Sequence, residues 1–263
     1  MQWNALSVRP LGGVFGAEVT GVGIPGAPAR VLSAMLAGAV ARYGVLICRM
    51  PDAVSQGVAG LVETFSGERR SIVVDTGEAP GGAGGGRVHP EDDIALLTDP
   101  LASSAASHMA LLHAENVPRE GAESIWCSLA GAYDNLSLPI RAYLDPLRVE
   151  PANGAKGQVS SLIGRHPVTG RKHFAIGNSF EGRILDIPAE ESDLVLDLVR
   201  NLLAAPENQI RIPWTEDMIA IWDCRLAQHY AVGGYGAPGW RLSCVSVSGA
   251  AVPMIRPEAG FVS

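Results

Sequence analysis

Turn-forming residues interrupt this chain so often that few long helices fit. Its 31 glycines and 18 prolines divide it into short apolar runs, the texture of a strand-rich fold with many turns. SIVVD, HMALLHAENV, LRVEP, KHFAIG, QIRIPW, MIAIWD and RLSCVSVSG read as strands. Three segments read as helix instead. From Pro28 to Tyr43, Val31, Leu32, Met35, Leu36, Ala39 and Val40 recur at helical spacing, and GVLICRM after them reads as a buried strand. A helix starting near Pro188 carries AEESD in its first turn, which suits the positive end of the dipole, and Leu194, Leu198, Leu202 and neighbours form its apolar stripe. After Trp126, helical spacing places Leu129, Tyr133 and Leu136 together, and again Ile140, Tyr143 and Leu144. Seven or more strands with few helices predict a mainly β sandwich or jelly roll with flanking helices, not an alternating βαβ fold. At 263 residues, one domain spanning 1–263 is expected.

Composition narrows the partners. A net charge of -7 and a pI near 5.4, with no basic run longer than Glu68-Arg69-Arg70 or Gly170-Arg171-Lys172, exclude a phosphate-binding stripe and so a nucleic-acid partner. The expected ligand is a small molecule. Cys48, Cys127, Cys224 and Cys244 have no Cys-x-x-Cys spacing, so neither a zinc site nor a disulfide framework is indicated, and reduced thiols fit a cytoplasmic protein. The N-terminal MQWNALSVRPLGG lacks the apolar core of a signal peptide. No apolar stretch reaches the roughly 18 residues that cross a bilayer, so a soluble protein without a membrane partner is expected. A homo-oligomer is left open.

The chemistry concentrates in three residues. His89 and Glu91 form His-x-Glu in RVHPEDD, and His229 follows 138 positions after Glu91. Two histidines and one carboxylate in this pattern make a facial triad that binds Fe(II) and leaves three positions for cosubstrate, O2 and water. Taken singly, each histidine has a plainer reading: His89 beside a glycine-rich loop as a solvated residue, His229 beside MIAIWD as a satisfied core histidine. His108 and His113 flank a strand, and His166 and His173, in the turn HPVTGRKH, are expected at the surface. GEAPGGAGGGR, residues 77–87, has almost nothing to pack and reads as a mobile surface loop, either a lid or a plain connector. With no Lys-Ser or Lys-Thr after it, it is not a phosphate-binding loop.

Several stretches, taken in order, resemble the TauD/TfdA family of Fe(II)- and 2-oxoglutarate-dependent oxygenases. VRPLGGVFGAEVTGV resembles its opening strand-turn-strand. LLHAENVPREGAESIWCSLAGAYDNLS resembles the strand and helix behind its metal-binding loop, and GRHPVTGRKHFAIGNSFEGRILDIPAEESD its middle. IWDCRLAQHYAVGGYG resembles the segment bearing its second histidine, and Trp-Asp-x-Arg-x-x-x-His-Tyr-Ala is a long pattern. The likeness runs from Val8 to Pro253. It implies a double-stranded β-helix, a distorted jelly roll of the clavaminate synthase-like type, with iron near one open end.

Two alignments compete for the first ligand pair. Counting back without a gap from LLHAENVP lands on Leu97-Thr98-Asp99, where the family has His-Thr-Asp, so the histidine would be lost and Asp99 would be the carboxylate. Counting forward from SIVVDT lands on His89-Pro90-Glu91 and needs an insertion before HMALLHA. The second is favoured, because related enzymes use His-x-Glu, and His89, Glu91 and His229 are then the metal and catalytic residues. Two arginines that the family places late in its last strand, for the far carboxylate of 2-oxoglutarate and for anionic substrates, fall on Cys244, fifteen residues after His229, and on Trp240. A thiol cannot replace a guanidinium there. Ser124, matching a threonine that helps hold the cosubstrate, and Arg241, if a bulge re-aims it, are the cofactor-binding candidates; Arg225 matches a structural ion pair. The expected cofactors are thus Fe(II) and 2-oxoglutarate, with O2 and a small, apolar or bulky substrate of specialised metabolism, hydroxylated or desaturated. The alternatives are the same fold without 2-oxoglutarate, as a lyase, isomerase or hydrolase, or a non-catalytic binding protein. Only PANGAKGQVSSLIGR stands where many relatives have a long insert, which points to an open pocket or one closed by a partner subunit.

Overall fold

The computed structural model describes residues 7–12, 15–20, 29–49, 68–75, 107–117, 122–152, 159–177, 180–232 and 241–248. In chain order its elements are β1 (Ser7–Pro10), β2 (Ala17–Thr20), α1 (Ala29–Tyr43), β3 (Val45–Arg49), β4 (Glu68–Asp75), β5 (Ser107–Asn116), β6 (Glu123–Ser128), α2 (Leu129–Asp134) and α3 (Leu138–Leu144). There follow β7 (Arg148–Pro151), β8 (Ser160–Ser161), β9 (Ile163–Arg165), β10 (Lys172–Phe174), β11 (Gly182–Ile184), α4 (Ala189–Ala204), β12 (Gln209–Pro213), β13 (Met218–Asp223), β14 (Ala227–Ala231) and β15 (Arg241–Ser248).

A large sheet runs β1-β2-β3-β13-β5-β15-β4, antiparallel except between β2 and β3, and a small antiparallel sheet runs β12-β6-β14. Strand parity explains how they stack, because alternate residues point to opposite faces. Met218, Ala220 and Trp222 of β13 join one apolar cluster with Val45, Leu112, Cys244 and, from the small sheet, Trp126 and Ala227. Ile219 and Ile221 of the same strand join a second cluster with Leu36 and Val40 of α1. All six residues of MIAIWD are therefore buried, which is why that run is continuously apolar rather than alternating. A third cluster covers the outside of the small sheet, where Cys127 of β6 meets Leu129, Phe174, Val195 and Leu203. The layers are helix, large sheet, small sheet, helix: the expected mainly β double-stranded β-helix, with its interior between the sheets.

The turn from α1 into β3 shows how tightly this is specified. Gly44 has φ 79° and donates its N–H back to the Val40 carbonyl at 2.7 Å, the left-handed cap that ends a helix. A Cβ there would sit 2.8 Å from the Phe15 ring, so only glycine fits.

Two expectations need correction. In α4 the buried stripe is Val195, Leu196, Val199 and Leu203, whereas Leu194 is exposed. Val195, Val199 and Leu203 repeat every fourth residue and pack against the third cluster, so the row one position C-terminal of the leucines faces inward. Strands β6 and β14 have no counterpart among the predicted strands, because ESIWCS and AQHYA lack a long β-branched run. They are nonetheless the strands that carry Ser124 and His229.

Candidate active site

His229 is the sixth residue after Asp223, across the short turn that takes the chain from β13 in the large sheet to β14 in the small one. It pairs with Trp126 of β6, and Ala231 with Ser124. The Trp126 indole stacks on its imidazole with ring centres 4.4 Å apart and planes 18° from parallel, and Trp222 meets it edge-on at 5.2 Å. Burial between these indoles pushes the His229 pKa down to about 4, so the ring is neutral at pH 7. Its Nδ1 is buried without a hydrogen-bond partner among the described residues. Leaving such a group unsatisfied costs about 1–3 kcal/mol. A neutral imidazole with an unspent ring nitrogen, clamped so that it cannot rotate to water, fits a ferrous-iron ligand. Among the described residues no three His, Cys, Asp or Glu side chains gather in metal-binding geometry. His89 and Glu91, like Asp99, Trp240 and the 77–87 loop, lie outside the described residues.

Ser124 is fully buried on the same strand as Trp126. Its Oγ accepts from the Trp126 Nε1 at 2.8 Å and from the Trp214 Nε1 at 3.0 Å. Cys244 is buried on the inner face of β15, opposite Leu112 of β5. Burial pushes its thiol up to about 12, so it carries no charge at neutral pH.

Arg241 takes a different position from the one expected of a cosubstrate anchor. The register of β15 against β5 does shift at Arg241, but Arg241 faces Asn116 and Leu242 faces Ala114, which makes Glu115 of β5 the extra residue. The Arg241 Nε donates to the Glu115 carboxylate at 2.7 Å, and the Ser243 hydroxyl donates to the same group. Odd spacing from Cys244 puts Arg241 on the outer face, where its side chain is about half exposed.

Arg225 behaves as its motif implies. Its backbone N–H and its Nε donate to Asp223 Oδ1 at 2.9 and 2.8 Å, and its Nη2 to Oδ2. A fourth donor was not foreseen. His166 Nε2 lies 2.9 Å from Asp223 Oδ2, while the Thr169 N–H donates to His166 Nδ1, so the ring proton sits on Nε2 and points at the carboxylate. Burial alone would raise the Asp223 pKa, but the hydrogen bonds from Arg225 and His166 outweigh it and hold the carboxyl down at about 2. The surface role expected for His166 and His173 is therefore wrong: both are buried. The turn between β9 and β10 folds His166 inward onto β13. Only the Asp223 of the Trp-Asp-x-Arg motif, six residues before His229, hinted at a partner.

The chain's sequence matches the model of the family "Taurine catabolism dioxygenase TauD, TfdA family" over residues 7–245. It belongs to that family. The TauD/TfdA enzymes are the Fe(II)- and 2-oxoglutarate-dependent oxygenases expected from the motifs, and this chain is a non-haem oxygenase of that class acting on a small molecule. An alpha-ketoglutarate-dependent sulfate ester dioxygenase of Pseudomonas putida is 26% identical over 270 residues, covering 88% of this chain and 85% of that protein. A taurine dioxygenase from Burkholderia xenovorans has the same fold, with a TM-score of 0.75 at 24% identity over 94% of this chain and 92% of that one. So does AAD-2 in complex with Mn(II) and N-oxalylglycine, with a TM-score of 0.76 at 19% identity over 95% and 99% of the two chains. Among the described residues no helix is long and apolar enough to cross a membrane.

Proposed function

We propose that the space between the two sheets beside His229 is the catalytic centre of a hydroxylase or desaturase, with His89, Glu91 and His229 as the iron ligands and Ser124 as a contact for 2-oxoglutarate. The observation that carries this reading is the buried, neutral imidazole of His229 with its partnerless ring nitrogen. Bound Fe(II) and 2-oxoglutarate supply the activation of O2 and the reducing electrons needed to oxidise a substrate C–H bond.

The chain's own residues hold and shield. Trp126 and Trp222 keep the His229 ring in one orientation, as a ligand requires. The apolar wall of Leu112, Ala220, Leu242 and Cys244 excludes water from one side of the site. Ser124 offers its hydroxyl proton.

The substrate follows from what that wall lacks. The relatives above include enzymes named for a sulfate ester and for taurine, and anionic groups of that kind call for a guanidinium. Here the family's late arginine positions are held by a neutral buried thiol, Cys244, and by Trp240, while Arg241 is engaged with Glu115 on the outer face. The substrate is accordingly a neutral, apolar or bulky small molecule of specialised metabolism. Cys48, Cys127, Cys224 and Cys244 are free and buried, in keeping with a reducing cytoplasm.

Anaerobic titration tests the reading. Fe(II) followed by 2-oxoglutarate is expected to produce the weak visible charge-transfer band of a chelate, and His229→Ala to abolish it. Iron binding that survives His229→Ala would overturn the assignment.

A further inference from the structure

Two cations stand side by side on the β9–β10 hairpin. Arg165 lies directly opposite Lys172 in the antiparallel register, so both side chains leave the same face, where like charges repel. One carboxylate answers them. Asp145, just past the end of α3, accepts from the Lys172 Nζ at 2.6 Å and from the Tyr133 hydroxyl at 2.8 Å. The Lys172 ammonium, helped by that hydroxyl, holds its pKa below the ordinary 3.8, so it stays ionised. Both of its oxygens are engaged, and Arg165 is left without a carboxylate of its own.

Unpaired guanidinium groups are uncommon in this chain. Among the residues whose side chains are described, Arg42, Arg141 and Arg165 are the arginines with no carboxylate in ion-pair distance. Two of them line one cavity. It measures about 420 Å³, lies between α2, α3 and the hairpin, and sets Arg141, Arg165 and Lys172 beside the exposed Leu138 and Ala142. That size falls in the roughly 300–1,000 Å³ of small-ligand pockets. Its walls carry three cations and two carboxylates, and the second carboxylate, Asp134, is already neutralised by Arg171 at 2.7 Å. In a protein of net charge -7, this is a local positive excess.

The two guanidinium groups are held but not used up. The Arg141 Nε donates to the Leu136 carbonyl at 3.0 Å and its Nη2 to the Asp134 carbonyl, while its plane lies over the Tyr133 ring, 5.3 Å from the centre. Arg165 donates through Nη1 to the Gly170 carbonyl at 2.8 Å. A guanidinium has five N–H groups, so each keeps donors to spare, and less freedom is lost when a ligand takes them up. Tyr133 and Phe174, which meet edge-on behind the cavity, belong to the cluster outside the small sheet. That cluster and the small sheet stand between the cavity and His229.

We propose that this cavity binds a small organic phosphate, with the phosphate taken by Arg141 and Arg165 and the organic body resting on Leu138 and Ala142. A phosphate offers several oxygens to forked N–H donors and a charge that matches the two unpaired cations. The apolar wall selects for a carbon body attached to it.

Calorimetry on the full chain at low ionic strength tests this with phenyl phosphate and inorganic phosphate. One phenyl phosphate is expected per chain, bound more tightly than inorganic phosphate. Arg165→Gln, at an exposed position, is expected to weaken it about ten-fold. Leu138→Ser is expected to weaken phenyl phosphate and leave inorganic phosphate unchanged. Arg183→Gln, which removes an exposed guanidinium paired with Glu150 elsewhere, and His229→Ala are both expected to bind as the wild type does. Absence of binding, or phenyl phosphate held no more tightly than inorganic phosphate, would overturn the proposal. So would a loss in Arg183→Gln equal to that in Arg165→Gln, which would mean diffuse charge, or a loss in His229→Ala, which would put the anion in the catalytic centre.

Discussion

Two buried histidines, His166 from the β9–β10 turn packed on the end of β13 and His229 on β14, are treated in opposite ways. His166 is saturated: its Nε2 proton goes to Asp223, and its Nδ1 accepts from the Thr169 backbone. His229 has rings on two sides and no partner for Nδ1. Polar satisfaction is how a fold uses a buried histidine as mortar. A histidine left unsatisfied at a cost in stability is a candidate ligand for a group outside the protein, the role proposed above for His229. Both are buried, and His113 of β5 also has a buried Nε2 without a partner among the described residues, so it is the stacking between Trp126 and Trp222 together with the motif around it that sets His229 apart.

The strongest way to break the contrast is to delete each side. His229→Ala is expected to lower oxygenase turnover at least a hundred-fold, while the cavity left between Trp126 and Trp222 is partly offset by removal of the unsatisfied Nδ1, so that stability falls by no more than about 2 kcal/mol. A large loss of stability with activity retained would reverse its assignment. Asp223→Ala should do the opposite. It strands the Arg225 guanidinium and the His166 N–H in the interior, which is expected to cost about 3–5 kcal/mol in chemical denaturation; a cost below 1 kcal/mol would show that the network is not mortar.

Acid sharpens the same contrast. The Asp223 carboxyl is held at about 2 against an ordinary 3.8, so its stabilisation is complete above that ordinary value and drains as pH falls towards 2, about 2 kcal/mol in all. His173 adds a loss that begins higher. Burial keeps it below its ordinary 6.5, as it does His113 and, down to about 4, His229, so the unfolded chain takes up protons first and stability falls as pH drops through that value. Denaturation of the metal-free protein from pH 7 to 2 is expected to show both phases, with the lower one absent in Asp223→Asn. A single unchanged curve in that variant would refute the assignment.

The smallest effect belongs to the outer face. Arg241→Ala removes a half-exposed ion pair to Glu115, and is expected to change stability by no more than about 0.5 kcal/mol and to leave 2-oxoglutarate binding unchanged. A marked loss of binding would restore Arg241 as a cosubstrate anchor.

Much of the fold was legible because its signals are local. MIAIWD announced a strand and GVLICRM a buried one, and the spacing in AMLAGAVARY announced α1. The Trp-Asp-x-Arg-x-x-x-His-Tyr-Ala pattern singled out His229, and the parity between Cys244 and Arg241 already argued that they face opposite ways. Tertiary contacts between distant segments decided the rest. Nothing around His166 in HPVTGRKH shows that its turn folds onto Asp223, 57 positions later. Nor does ESIWCS reveal that Ser124 will meet the indole of Trp214, 90 positions on. Sequence by itself determined which residues could do chemistry and that Cys244 and Arg241 would occupy opposite faces of their strand, because side-chain type and period 2 are local. Which buried polar atoms find partners, and so which histidines, His229 and His113 among the described residues, are left with an unspent nitrogen, depended on how the two sheets and the β9–β10 turn close on one another, and only the packed structure settles that.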